Sequence, residues 1–262
     1  MKTRSNRIRV FAWLASGMLF IAGAACGAEV KVMISGGFSA AYRVLIPEFE
    51  RTTHNKVVTA FGPSMGNTPD AIPNRLQRGE PADVLIMVDA ALDGLRNQGK
   101  VVADSRVDLA RSKIGMVVRS GEPKPDISSV DAFKRTLIAA KSIAYSDSAS
   151  GVYLSTVLFQ RLGIADQVLG KSRMIPAEPV GAVVARGEAQ LGFQQISELL
   201  PVPGVDLVGP LPAEIQKVTI FAGGVAAGAK EPEAGRALLQ FLSSPAAAEA
   251  ISKSGLEPVT SR

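Results

Sequence analysis

One local pattern repeats along this chain: a short apolar run, a loop of small or polar residues, then apolar positions at helical spacing. Val30, Val32 and Ile34 alternate as a strand, Ser35–Ser39 reads as a loop, and Ala40–Arg51 reads as a helix with Tyr42, Leu45, Ile46 and Phe49 on one side. Lys56–Phe61 and Val84–Met87 are strands, each leading towards a short helix (71–78 and 90–98), with Pro73 suited to a first turn and Asp89 to a cap. Leu109–Arg119 is a strand region and Ser129–Ala140 a helix. Shorter strands (172–175, 191–193, 205–208) surround a helix at 180–186. A long apolar strand at Val218–Ala226 and two helices, 232–242 and 245–253, close the chain. Strands alternating with helices predict an α/β fold of mostly parallel sheets flanked by helices. In such sheets ligands bind at the carboxyl ends of the strands.

Three loops have that position and a composition suited to anions: 35–39, 62–67 and 146–153. The last is the most telling. Ser142–Tyr145 leads into Ser146-Asp147-Ser148-Ala149-Ser150-Gly151-Val152-Tyr153, and a helical pattern follows. Hydroxyls and free backbone N–H groups at a helix start form an anion pocket, and glycine lets an oxyanion approach the backbone. Taken alone, such a loop is equally well read as an ordinary N-cap. Its pairing with Ser35-Gly36-Gly37-Phe38-Ser39 favours a binding role.

The first residues stand apart. Lys2, Arg4, Arg7 and Arg9 precede an uncharged run from Val10 to Ala25, and small residues from Ala24 to Ala28 end it. Residues 1–28 therefore read as a secretory signal peptide, cut between Ala25 and Ala28, with lipidation at Cys26 as the alternative. The run is too short to predict stable membrane insertion. Its removal takes four of the 29 basic residues and none of the 24 acidic ones, leaving a net charge of +1. That balance gives no support to nucleic-acid binding. Cys26 is the only cysteine, so the exported chain is expected to lack disulfides and a thiol nucleophile. His54 is the only histidine, which excludes a multi-histidine metal site. It lies in the polar turn Thr52–Lys56 and reads as surface.

Several stretches together resemble periplasmic solute-binding proteins of the molybdate-receptor type: Glu29–Ala40, Gly79-Glu80-Pro81-Ala82-Asp83-Val84-Leu85-Ile86-Met87, Ser148–Tyr153, and Ala185-Arg186-Gly187-Glu188-Ala189-Gln190-Leu191-Gly192-Phe193. The order of these motifs is the specific signal; each alone is weak. The resemblance implies a two-lobed type II periplasmic binding fold with the ligand cleft between lobes. Lobe 1 would hold residues 29–110 and 218–262, and lobe 2 residues 111–217. The chain departs from molybdate receptors at Gln194-Gln195, where those receptors carry a tyrosine, and at the longer loop Gly62–Pro69. Molybdate is therefore expected to bind weakly or not at all. Ser35–Ser39, the 62–69 loop and Phe193-Gln194-Gln195-Ile196-Ser197 are more similar to the family's aconitate-isomerase branch.

That branch implies a monomeric periplasmic enzyme moving a proton across the allyl system of a tricarboxylate, with no metal or organic cofactor required. The alternative is a transport receptor for a small oxyanion or carboxylate, the one reading in which an ABC permease is a partner. Holding a trianion calls for clamps and cations. Candidate substrate-binding residues are Ser35, Gly36, Gly37, Phe38, Ser39, Ser64, Met65, Asn67, Arg75, Arg111, Ser148, Ser150, Gly151, Val152 and Gln195. Phe38 and Met65 are also consistent with ordinary core packing, and Arg75, Arg111 and Lys113 with solvated surface charge. For proton transfer the candidates are Lys113, if desolvated, and Tyr153. Asp147 would repel a carboxylate, and Gln194 and Gln195 cannot serve as a base near neutral pH.

Overall fold

A computed structural model describes residues 27–176 and 178–259. The expected signal peptide, Cys26 included, falls outside the described residues apart from its last two positions. The chain builds two sheets. The first takes β1 (Glu29–Ile34), β2 (Lys56–Phe61), β3 (Val84–Val88) and β4 (Val107–Ser112), with α1 (Gly36–Thr53), α2 (Ile72–Gln77) and α3 (Asp89–Asn97) between them. The chain then crosses at Lys113 into β5 (Ile114–Arg119) of the second sheet. The single strand region expected over 109–119 is thus two strands in different sheets. After α4 (Val130–Ala139) come β6 (Ile143–Ser146), α5 (Ala149–Tyr153), a π-helical stretch at Leu154–Leu158, α6 (Phe159–Arg161), α7 (Ala165–Val168) and β7 (Ser172–Ile175). Next are α8 (Val180–Ala185), β8 (Leu191–Gln195), α9 (Ile196–Leu199) and β9 (Val205–Pro210). The chain returns to the first sheet through β10 (Thr219–Val225), α10 (Pro232–Leu242), α11 (Ala248–Lys253) and β11 (Glu257–Pro258).

Strand order is β11-β4-β10-β3-β1-β2 in the first sheet and β7-β6-β8-β5-β9 in the second. Parallel pairs join β2, β1 and β3 in the first sheet and β7, β6 and β8 in the second. The antiparallel pairs involve β10 and β5, the strands on which the chain enters each sheet after a crossing, and β11 at the edge. Alternation along β1 sends Val30, Val32 and Ile34 to a core with α1, α10 and α11, and Met33 to the opposite face with Ile72, Leu92 and Leu95. The second sheet is likewise covered twice: Ile114, Met116 and Val118 meet Phe133 and Leu137 of α4, while Val117 and Ala144 meet Val180, Val183 and Val184 of α8.

Asp83 ties the first sheet together. It is buried, and its carboxylate accepts from the N–H groups of Lys31 (2.7 Å), Lys230 (2.6 Å) and Glu231 (3.0 Å). Ser129 caps α4 by accepting from the Ala132 N–H. His54 is exposed at the end of α1 with φ 60°, in agreement with the surface reading.

Candidate active site

The carboxyl ends of β1, β2, β3, β6 and β8 converge on one cavity of about 660 Å³ between the sheets. A larger cavity of about 760 Å³ lies at the other end of the second sheet, around Arg119, Lys141 and Gln190. That one opens beside the amino ends of β6 and β8, the wrong end for a ligand site in a parallel sheet.

The floor of the cleft is the start of α1. Helix begins at Gly36, so Ser35–Ser39 is an N-cap and first turn, and the expectation of a loop there is corrected. Ser35 sits at the cap in extended conformation without capping its own helix, and its buried Oγ has no partner. The first-turn amides are not claimed by the helix and carry the positive end of its dipole. Gly36 and Gly37 allow close approach. A β-carbon on Gly36 would lie 2.3 Å from a Glu198 carboxylate oxygen, and one on Gly37 would meet the Phe221 ring at 2.1 Å.

The second sheet supplies the facing wall. Ser146 Oγ shares hydrogen bonds with the hydroxyls of Ser148 (3.0 Å) and Ser150 (2.9 Å). Ser146, Asp147, Ser148 and Ala149 line the cavity. From β8 and α9 come Gln194, Gln195, Ser197 and Glu198. Gln194 accepts from the Val180 N–H (3.0 Å). Gln195 donates to Thr219 of β10 (3.0 Å), and its own Oε1 is buried without a partner. Ser197 donates to the Gly37 carbonyl (2.6 Å), fastening α9 to the first turn of α1.

Two carboxyls in this cleft titrate abnormally. Burial pushes the Glu198 carboxyl up to about 7, with the Asp147 charge adding to the effect; hydrogen bonds from the Gln194 side chain and the Gln195 backbone oppose it. Asp147 is also raised, first by burial and then by the Asp70 charge. The cation lining the cleft is Arg43 of α1, whose guanidinium lies 4.1 Å above the Phe61 ring.

Among the residues singled out from sequence, Ser35, Gly36, Gly37, Ser39, Ser64, Ser148 and Gln195 line this cleft. Ser64 also accepts from the Val88 N–H (2.9 Å), fixing the 62–69 loop to β3. The others do not reach it. Phe38 is wholly buried in the core under the first sheet. Met65 and exposed Asn67 lie beyond the cavity lining. Arg75 is held by Glu80 (2.7 Å) and by the Asp70 carbonyl (3.0 Å). Arg111 is exposed on β4, where it pairs in register with Glu257. Lys113 forms an ion pair with that same Glu257, outside the cleft. Tyr153 points into the second core and donates to the Ile215 carbonyl (2.9 Å). Ser150 is buried behind Ser146, and Val152 is exposed. Gly151 packs on its own chain: a β-carbon there would sit 1.6 Å from the Ser146 carbonyl oxygen, so the glycine serves a backbone contact and not a ligand. Sequence reasoning misses the charged cleft residues Arg43, Asp70, Glu178 and Glu198 and the rings of Phe61 and Phe221.

Fold and cleft together define an α/β protein of two sheets with a ligand cleft between them. A model of the bacterial extracellular solute-binding protein family matches residues 30–257, and the chain belongs to that family. It is 58% identical over 230 residues to an aconitate isomerase of Pseudomonas sp., covering 88% of each chain. It is 29% identical over 257 residues to the molybdate-binding protein ModA of Azotobacter vinelandii, covering 92% of this chain and 95% of the relative. Among solved structures, the periplasmic molybdate-binding protein of Azotobacter vinelandii superposes with a TM-score of 0.68 at 21% identity, covering 89% of this chain and all of that one. The substrate-binding domain of a molybdenum transporter from Clostridium difficile gives the same TM-score at 18% identity, with the same coverage. No helix among the described residues is long and apolar enough to cross a membrane.

Proposed function

We propose that the protein interconverts trans- and cis-aconitate in the cleft between two lobes, residues 29–110 with 218–262 and residues 111–217. The observation that carries this reading is the 58% identity, over 88% of both chains, to an aconitate isomerase. The cleft supports it chemically. A tricarboxylate needs separate anchorage for its carboxylates. Ser35 with the first-turn amides of α1 takes one, the Ser148–Ala149 backbone and hydroxyl a second, and Arg43 the third. Phe61 and Phe221 supply apolar walls for the carbon chain.

The reaction is an allylic proton shift. A proton leaves the methylene carbon beside the double bond, and the charge spreads into a neighbouring carboxylate. A proton then returns at the far end of the allyl system. Donors aimed at that carboxylate stabilise the dienolate more than the ground state, which lowers the barrier. The reading includes export through the N-terminal signal, a periplasmic location and a monomer. Purified protein incubated with trans-aconitate, without added cofactor, should produce cis-aconitate detectable by chromatography.

A second reading, a receptor delivering a small anion to an ABC permease, is favoured by the 29% identity to a molybdate-binding protein. It requires saturable binding with no turnover. Receptor and enzyme clefts on one fold use the same loops, so the assay decides and the architecture does not.

A further inference from the structure

We propose that Glu198 is the group that carries the proton between the two ends of the allyl system, working against a substrate carboxylate held at the α1 N-terminus. This rests on the isomerase reading of the same cleft. The carboxylate lies directly on the first turn of α1, close enough that any side chain at Gly36 would displace it. Unpartnered Ser35 Oγ and the free amides of that turn belong to the same corner of the cleft. Glu198 and its anchor are set by contacts on both sides: Ser197 is bonded to the Gly37 carbonyl, Gln195 to Thr219, and Gln194 to the Val180 N–H. Acid/base groups work when positioned by rigid neighbours, and this one is fixed from both sheets.

The charged groups around it are consistent with a proton carrier. Asp147 faces it from the loop after β6 and disfavours a second negative charge. Asp70 acts on Asp147 from the edge of the 62–69 loop. Glu178 shares the cavity but is paired with Arg186 (3.0 Å). Arg43 is the cation that lines the cavity, and it stacks on Phe61. No ion pair joins Glu198 to a cation among the described residues. Its carboxyl titrates near 7, the range in which one group can both take and return a proton at neutral pH. Asp147, the other raised carboxyl, stands on the same wall, on the loop after β6, and not on the first turn of α1.

The step balances within substrate and protein. The Glu198 carboxylate takes a methylene proton: the C–H bond breaks and an O–H bond forms. The C–H pair delocalises through the double bond into the adjoining carboxylate. The O–H then returns its proton to the far allylic carbon, the double bond is left shifted, and Glu198 is regenerated. No oxidant, reductant or co-reactant is consumed.

The test compares wild type, Glu198→Gln and Glu198→Asp for aconitate turnover, for aconitate binding by calorimetry, and across pH. Glu198→Gln should keep binding within several-fold and lose turnover by about a hundred- to ten-thousand-fold, the usual span for removing a general acid/base. Wild-type kcat/KM should rise with pH to a limb near 7 that the residual rate of Glu198→Gln lacks. Glu198→Asp, which keeps a carboxyl, should recover part of the rate. If wild type turns over while Glu198→Gln keeps its rate within threefold, or keeps the same limb, the role of Glu198 is refuted and the isomerase reading stands. If wild type itself gives no turnover, the isomerase reading falls, and this role with it.

Discussion

Tyr153→Phe separates a catalytic tyrosine from a structural one. The Tyr153 hydroxyl donates to the Ile215 carbonyl at 2.9 Å, and both residues are buried in the second core. Deleting the hydroxyl leaves a buried carbonyl without its hydrogen-bond partner, at a cost of about 1–3 kcal/mol. The variant should therefore lose about 1–3 kcal/mol of stability. For a chain of this size that corresponds to a fall in Tm of about 3–9 °C. Ile215 closes the 3₁₀ turn Ala213–Ile215 between β9 and β10, so the loss acts on the return crossing and not on the cleft. Calorimetric unfolding and aconitate turnover at 25 °C, measured on the same preparation, check both halves. Turnover should stay within twofold of wild type. A tenfold fall in turnover with unchanged Tm would mean that the hydroxyl meets substrate, and the site could not then be the cleft at the α1 N-terminus.

Three further outcomes follow from the same geometry. Arg43→Ala should raise KM about tenfold with kcat little changed, because an exposed guanidinium contributes binding more than chemistry, whereas Arg75→Ala, whose charge is spent on Glu80, should leave both unaltered in steady-state kinetics. Asp83→Ala should cost about 3–5 kcal/mol in urea unfolding by stranding three backbone N–H groups; a loss under about 1 kcal/mol would show that these bonds are replaced by water. Glu198 contributes to pH-dependent stability with a definite sign. Its carboxyl is raised from 4.5 to about 7 by folding, so the folded state holds the proton more tightly, and stability is lost as pH rises between those values. Glu198→Gln should then be more stable than wild type by about 1–3 kcal/mol at about pH 8 and no more stable at about pH 4, read from thermal unfolding without ligand.

The strand–loop–helix order was legible because alternation in β1 and helical spacing in α1 are local signals, and the loops at the strand ends then identified residues on both sides of the cleft. Ser35, Gly36, Ser148 and Gln195 could be selected on that basis. What failed were side chains whose direction depends on tertiary packing. Tyr153 follows the serine loop by only a few residues, yet the turn of the helix carries it into the core. Lys113 does sit at the crossing, but Glu257, from the far end of the chain, claims its charge. Arg75 is neutralised by a partner five residues away that the spacing alone did not single out. Glu198 escapes a sequence reading because it is an isolated acid on the four-residue helix α9. Its unusual surroundings are remote in sequence: Asp147 comes beside it through the pairing of β6 with β8, and Gly36 only when the two sheets face each other. Arg43 reads as an exposed helical charge until Phe61 is placed beneath it.

The central claim, that this cleft turns over aconitate and does not merely bind it, is tested most directly by proton NMR of the purified protein with trans-aconitate in buffered D₂O. New cis-aconitate resonances should grow at a rate proportional to protein concentration, with deuterium entering at the allylic carbons as the proton carrier exchanges with solvent. Saturable ligand line-broadening, with no new resonances and no deuterium incorporation after prolonged incubation, would contradict the claim and leave a receptor in the enzyme's place.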